Sequence, residues 1–203
     1  MTKTRNRVPF GKKGLSIVDR FGVYLSRKAI QKFLPKNNQA MVLDLGCGYN
    51  ATLLSAFQHQ FKQGIGVDYA INPAIQCDSR LSFIESTIEE GINHFAENTF
   101  DVIMLMSVLE HLHEPEWMLK KCFQLLKPDG VFLINVPTWR GKVFLEFSAF
   151  KLGTSPQTEM DDHKMYYDKR DLWPLLIKSG FLPSKVKLKY HKFGLNLFAA
   201  VRK

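Results

Sequence analysis

Residues Val42-Leu43-Asp44-Leu45-Gly46-Cys47-Gly48-Tyr49-Asn50-Ala51 read VLDLGCGYNA. An apolar run of strand length breaks into a Gly-x-Gly turn. Glycine accepts positive φ and leaves no Cβ in the way, so Gly46 and Gly48 let the chain turn sharply while a ligand approaches the backbone. The spacing Gly46-x-Gly48-x-x-Ala51 satisfies the loose dinucleotide fingerprint. Asp68, twenty residues after Gly48, stands where an acid is expected to take ribose hydroxyls. A helix after the loop would aim its N-terminal dipole at the ligand. These features suit a nicotinamide or flavin dinucleotide and S-adenosylmethionine equally.

Asp44 separates the two. It lies inside the apolar run, two residues before Gly46. A charge buried there costs several kcal/mol, in order of magnitude, unless paired. A dinucleotide would bring a pyrophosphate to this loop, and the carboxylate would repel it. A methionine moiety would bring an ammonium group, which the carboxylate attracts. The alternative is a capping aspartate satisfied by loop amides.

Outward from the loop, short apolar strands alternate with helices. Strands are expected over 41–46, 64–68, 81–86, 100–106 and 130–136, with helices over 52–61 and 116–126. Continuous apolar strands separated by helices indicate a parallel sheet covered on both faces. A helix over 169–179, capped by Asp168, precedes strands over 185–192 and 195–202. The two residues between those strands are too few for a crossover, so the pair is antiparallel. Upstream, residues 15–34 read as an amphipathic helix, started by Ser16 and Asp19 and stopped by Pro35. Its apolar stripe Val18, Phe21, Leu25, Ala29 and Phe33 is expected to pack on the domain, to form a lid, or to lie on a membrane surface.

At 203 residues the chain suits one domain, divided as a basic arm and helix over 1–36 and the main domain over 37–203. Residues 138–167 form an insert with Trp139, Phe144, Phe147 and Phe150, a lid or substrate element. The three cysteines form no CxxC pair, and the scattered His59, His94 and His191 read as surface residues with no metal set. A reduced, cytoplasmic setting is the default. The net charge of +9 is uneven. Residues 1–36 carry ten basic residues and one acid, 37–180 twelve and eighteen, and 181–203 six and none. A basic head can attract nucleic acid or an anionic membrane surface. For a charge skew alone, a solubilising surface is the preferred reading.

VLDLGCGYN resembles the first motif of class I S-adenosylmethionine-dependent methyltransferases. The resemblance continues through GIGVD (64–68), FDVIMLMSVLEHLHEP (100–115) and LKPDGVFLINVP (126–137), covering 40–137 in order and spacing. It implies a Rossmann-like α/β fold with strand order 3-2-1-4-5-7-6, strand seven antiparallel and helices on both faces. It implies S-adenosylmethionine as cofactor and S-adenosylhomocysteine as product. Asp44 would sit near the methionine amino group, and Gly46, Cys47 and Gly48 would line the methionine portion. Asp68 would bind the ribose hydroxyls and Tyr69 would flank the adenine. Thr87 and Ile88 occupy the adenine-contact position in place of the acid common there, and Met106 with Ser107 would border the cofactor.

For the chemistry, Glu110-His111 follows the fourth strand, where the resemblance places substrate, and His111 is a candidate base. His163, in a segment rich in aromatics, is preferred over it. Tyr166 or Tyr167 could wall the acceptor. The expected function is methyl transfer to a small molecule, apolar, glycan-linked or lipid-linked. The alternatives are an RNA or protein methyltransferase, a nicotinamide oxidoreductase, or a non-catalytic module that binds the cofactor.

Overall fold

The computed structural model describes residues 9–12, 14–75, 79–147 and 164–203. Its centre is a seven-stranded sheet: β1 Met41–Leu45, β2 Gln63–Asp68, β3 Leu81–Glu85, β4 Phe100–Met106, β5 Leu126–Pro137, β6 Val186–His191 and β7 Asn196–Arg202. The order is β3-β2-β1-β4-β5-β7-β6. Strands β1 to β5 pair in parallel, and β7 runs antiparallel to both β5 and β6. Sheet order and strand directions are those expected from the sequence.

Alternate residues of the central strands feed two separate cores, as the pleat requires. On one face Leu43, Leu45, Ile103, Leu105, Phe132 and Ile134 pack with α4 (Pro115–Leu125) and α6 (Lys169–Lys178), beside the one-turn α3 (Ile88–Gly91). On the other, Val42, Val102, Met104 and Leu133 pack under α1 (Ile17–Ile30) and α2 (Thr52–Ala56). Helix α5 (Trp139–Phe147) follows β5. Asp168 stands at the N-cap of α6, its amide donating to Asp171 Oδ2 at 2.8 Å.

Three local expectations are corrected. The helix expected over 52–61 is only the five residues of α2, followed by a tight turn at Gln58–Gln60. Ala51 enters it with φ 42°, without a side-chain cap. The break turns both Phe57 and Phe61 inward, and they bury almost completely. Helix α1 begins at Ser16 as read, with a reciprocal Ser16–Asp19 capping box, but ends at Ile30, short of Pro35. Its buried residues are Ser26 and Ile30, at the C-terminal half, while Val18 and Phe21 of the expected inward stripe are exposed. The N-terminal half therefore overhangs the core. His191 is half-buried against Phe198 rather than on the surface, and burial with Lys192 and Lys189 nearby lowers its pKa to about 4.

Two glycines give opposite predictions. A Cβ on Gly64 would meet Phe61 at 2.7 Å and Leu54 at 2.9 Å, whereas one on Gly22 of α1 would meet only the flexible Lys192 end at 3.6 Å. Gly64→Ala should cost roughly 1–3 kcal/mol by overpacking. Gly22→Ala should be neutral or gain up to about 1 kcal/mol from helix propensity. Urea unfolding of the two variants checks both signs.

Candidate cofactor and acceptor site

In this strand order the direction of the connections reverses between β1 and β4. Ligands of open α/β sheets sit at that point, beyond the carboxyl ends of the strands. The loops after β1 and β4 converge there. Gly46 and Gly48 both have φ 76°, and a Cβ on Gly46 would lie 2.4 Å from Val108 Cγ2. The β1 loop is also strapped to the end of β2. Gly46 and Cys47 amides donate to Val67 O at 2.8 and 3.2 Å, and the Gly48 amide donates to Asp68 Oδ2 at 2.8 Å.

Asp44 lies at the base of this loop, 1% exposed, and among the described residues neither carboxylate oxygen has a hydrogen-bond partner. Burial, with Asp68 nearby, raises its pKa to about 7. Loop amides do not satisfy it, so capping does not explain it. An unpaired buried carboxylate is costly, and a cation is what would compensate it. Asp68 is also buried, which raises its pKa, while the amides of Gly48 and Ala70 work against that rise. Cys47 is buried and its thiol is raised far out of the reactive range, so it contributes its backbone rather than a nucleophile.

A pyrophosphate fits this pair of acids poorly. The short α2 weakens that fit further, because five residues with an uncapped start supply little dipole. A cationic aminoacyl sulfonium has the matching charge.

Around this centre, Tyr69 is exposed just past β2 and Met106 ends β4. Ser107 takes φ 59°, its amide donating to Asn135 O at 2.8 Å and its Oγ accepting from Asn135 Nδ2 at 3.1 Å. Thr87 caps α3, its Oγ1 accepting from the Glu90 amide at 3.2 Å, and Ile88 is buried in the core beside it. The positions expected to meet the adenine are thus a capped helix start and an apolar neighbour.

The candidate acceptor residues lie after β4. Leu109–His111 makes a tight turn, and the chain following the insert returns to clamp it. The Lys164 amide donates to Glu110 O at 2.8 Å, and Lys164 Nζ donates to His111 O at 2.6 Å. Glu110 is 1% exposed, and its Oε2 has no partner among the described residues. Burial lifts its pKa to about 8, while Lys192 from the β6–β7 turn pulls it down. Tyr167 is buried nearby, raised to about 12 by burial, then by Glu110 and Asp171. His111 is half-buried on the turn, and His163 lies outside the described residues. Sequence reasoning passed over Glu110 as a proton carrier, and also Asn135, whose buried Oδ1 lacks a partner. The sequence marks Glu110 only as the neighbour of His111, and nothing local marks Asn135. The charge of Lys192, 82 positions further along the chain, acts on Glu110 only because the fold brings it near.

The ionisation of Asp44 can be tested without ligand. Its folded pKa near 7 exceeds the ordinary value of 3.8, so the folded state keeps a proton that the unfolded chain loses. Ligand-free stability contributed by this group should be fully present below about pH 4 and be lost as pH rises to about 7, on the order of 4 kcal/mol in all. Asp44→Asn should flatten that slope and raise the melting temperature above pH 7, while weakening cofactor binding. Thermal melts across pH check this.

Comparison with known proteins agrees with the geometry. The family described as "Methyltransferase domain" matches residues 18–182. The Ubiquinone biosynthesis O-methyltransferase of Vibrio campbellii is 35% identical over 98 residues, which cover 44% of this chain and 40% of that protein. Its Salmonella paratyphi A counterpart is 29% identical over 111 residues, covering 51% and 45%. The chain thus spans under half the length of these curated relatives. A SAM-dependent methyltransferase from Archaeoglobus fulgidus superimposes with TM-score 0.65 at 16% identity, covering 89% of this chain and 94% of that one. The putative methyltransferase solved with the Haloferax volcanii Trm112 activator gives 0.71 at 14% identity, covering 90% and 91%. With most of its length inside that family's match and its sheet in the same order, the chain belongs to the methyltransferase-domain family and has the fold of the class I S-adenosylmethionine-dependent enzymes.

Proposed function

We propose that this protein transfers a methyl group from S-adenosylmethionine to a hydroxyl of a small, apolar acceptor. The observation that carries the cofactor half is Asp44, a buried carboxylate without a partner beneath a positive-φ glycine loop. When bound, S-adenosylmethionine supplies an electrophilic methyl on a sulfonium. In this reading Asp44 holds the ammonium, and the backbone of Gly46, Cys47 and Gly48 runs along the methionine portion. Asp68 keeps lone pairs for the ribose hydroxyls after accepting from Gly48 and Ala70. Tyr69 flanks the adenine, Thr87 and Ile88 edge it, and Met106 and Ser107 border the cofactor. Orientation and exclusion of water supply most of the acceleration such a transfer needs.

A hydroxyl acceptor must also lose its proton. Glu110 supplies a buried oxygen without a partner at the end of β4 for that task, and we place it ahead of His111. His163 remains a proposed contributor from the insert. The O-methyltransferase relatives support an oxygen acceptor, and their role in ubiquinone biosynthesis supports an apolar one.

Cofactor binding is tested at Asp68. Asp68→Ala should weaken S-adenosylhomocysteine binding about tenfold or more, since roughly 1.4 kcal/mol suffices. Unchanged affinity by fluorescence titration would remove Asp68 from the site. Turnover is tested with a panel of hydroxylated and prenylated phenols, reading S-adenosylhomocysteine release. Glu110 works ionised, so the rate should rise with pH and level off above about 8. Glu110→Gln should cost about 10²-fold or more in turnover without changing cofactor affinity. Lys192→Met removes the cation that favours the ionised form, so the rise should move to higher pH. Cofactor binding with no turnover on any acceptor, RNA and protein included, would favour a binding module instead.

A further inference from the structure

The overhanging half of α1 exposes large apolar side chains. Ile17 is 86% exposed and Val18 76%, and Phe21 and Tyr24 follow on the next turns. Ile17, Phe21, Tyr24 and Lys28 fall at helical spacings of four, three and four, so they line one stripe of α1. That stripe continues onto another element. Phe21 stacks on Phe193 of the β6–β7 turn, with ring centroids 6.4 Å apart. Phe193 is 82% exposed and held at φ 61°, directly after Lys192 at φ 48°. A left-handed phenylalanine costs about 1–2 kcal/mol relative to glycine or a relaxed turn. The chain thus holds a large apolar ring outward at a backbone cost. The same turn is bonded to the start of α5, Thr138 Oγ1 donating to Gly194 O at 2.8 Å, and Trp139 there is exposed too.

The rim of this patch is cationic. Arg20, Lys28 and Arg140 are exposed around it, with Lys28 Nζ 4.7 Å from the centre of the Tyr24 ring. The acid on this part of α1, Asp19, is tied into the Ser16 capping box. We propose that this face docks on an anionic membrane surface, with Phe21, Phe193, Ile17 and Val18 inserted at the headgroup boundary and the basic rim on lipid phosphates. An apolar stripe beside a cationic rim is the composition that binds such interfaces. A second copy of the chain would set one cationic rim against another. Nucleic acid would take the cations but has no use for aliphatic Ile17 and Val18.

The placement deepens the proposed function, on which its substrate consequence rests. The docking turn is bonded to Thr138, and Pro137 beside it accepts from the Tyr167 amide, so the turn lies next to the proposed acceptor side, where the charge of Lys192 also acts on Glu110. An apolar acceptor could then pass from lipid to the site without crossing water.

The test is sedimentation of the full chain with vesicles of phosphatidylcholine alone, or of equal phosphatidylcholine and phosphatidylglycerol. Retention is expected only on the mixed vesicles and should fall with salt. The Phe21→Ser/Phe193→Ser double variant should lose about tenfold or more of that affinity. Its melting temperature and S-adenosylhomocysteine affinity should be unchanged. If the double variant melts early, Ile17→Ser at the helix start should show the same loss. The proposal is overturned if mixed vesicles do not retain the protein, or if the variants bind them as well as wild type. It is equally overturned if wild type is a dimer that these changes disperse. Cofactor affinity is measured on the same samples, so loss of the enzymatic reading and loss of the docking face are told apart.

Discussion

The structure turns on one carboxylate that has no hydrogen-bond partner among the described residues. Asp44 is carried into the sheet by an apolar strand, flanked by Leu43 and Leu45, which are fully buried. Its oxygens meet no donor, and Asp68 adds repulsion. A fold assembled only for stability would place an apolar residue there. Retaining the acid makes the ligand-free protein less stable near neutral pH and leaves a site for a cation. The charge at this one position tells an aminoacyl sulfonium from a pyrophosphate, although both suit the glycines equally.

The rest of the fold keeps that acid in register with its surroundings. Parallel pairing of β1 with β2 and β4 brings three strand ends to one level. The β1 loop is tied to β2 through Val67 O and Asp68, and packs on the β4 loop at Val108. Beyond the sheet's reversal point, β7 runs back against β5, and its turn with β6 carries Lys192, whose charge acts on Glu110. In the proposed reading, cofactor and acceptor would sit on opposite sides of a single junction. The first side is built from adjacent parallel strands, the second from the antiparallel hairpin and the segment that follows the insert.

This division governs what the sequence discloses. The glycine loop, Asp44 and Asp68 lie within a short span of chain, and each strand is a short apolar run, so apolar runs, glycine spacing and a misplaced acid announce them locally. The sheet order was legible through the resemblance, and the final antiparallel pair through its brief connection. Burial direction was less legible. The stripe on α1 has helical period on more than one face, so periodicity alone pointed Val18 and Phe21 inward, and only the overhang past the core decides otherwise. Phe57 and Phe61 imitate one helical face while their chain breaks between them. Glu110 reads as a loop acid beside His111, and its burial, with Lys164 bonded to its backbone and the charges of Lys192 and Tyr167 acting on it, follows only from the fold. Long-range enclosure, more than residue type, makes that carboxylate chemically distinctive.

The most direct measurement is calorimetric titration of S-adenosylhomocysteine against 5′-methylthioadenosine, which keeps the nucleoside and lacks the amino-acid ammonium. It is run near pH 6.5 in buffers of different ionisation heat. If Asp44 is reserved for that ammonium, S-adenosylhomocysteine binds far more tightly. Its binding then releases a proton as Asp44 ionises, and both effects vanish in Asp44→Asn. Equal affinity for the two ligands, with no proton released, would contradict the role assigned to Asp44.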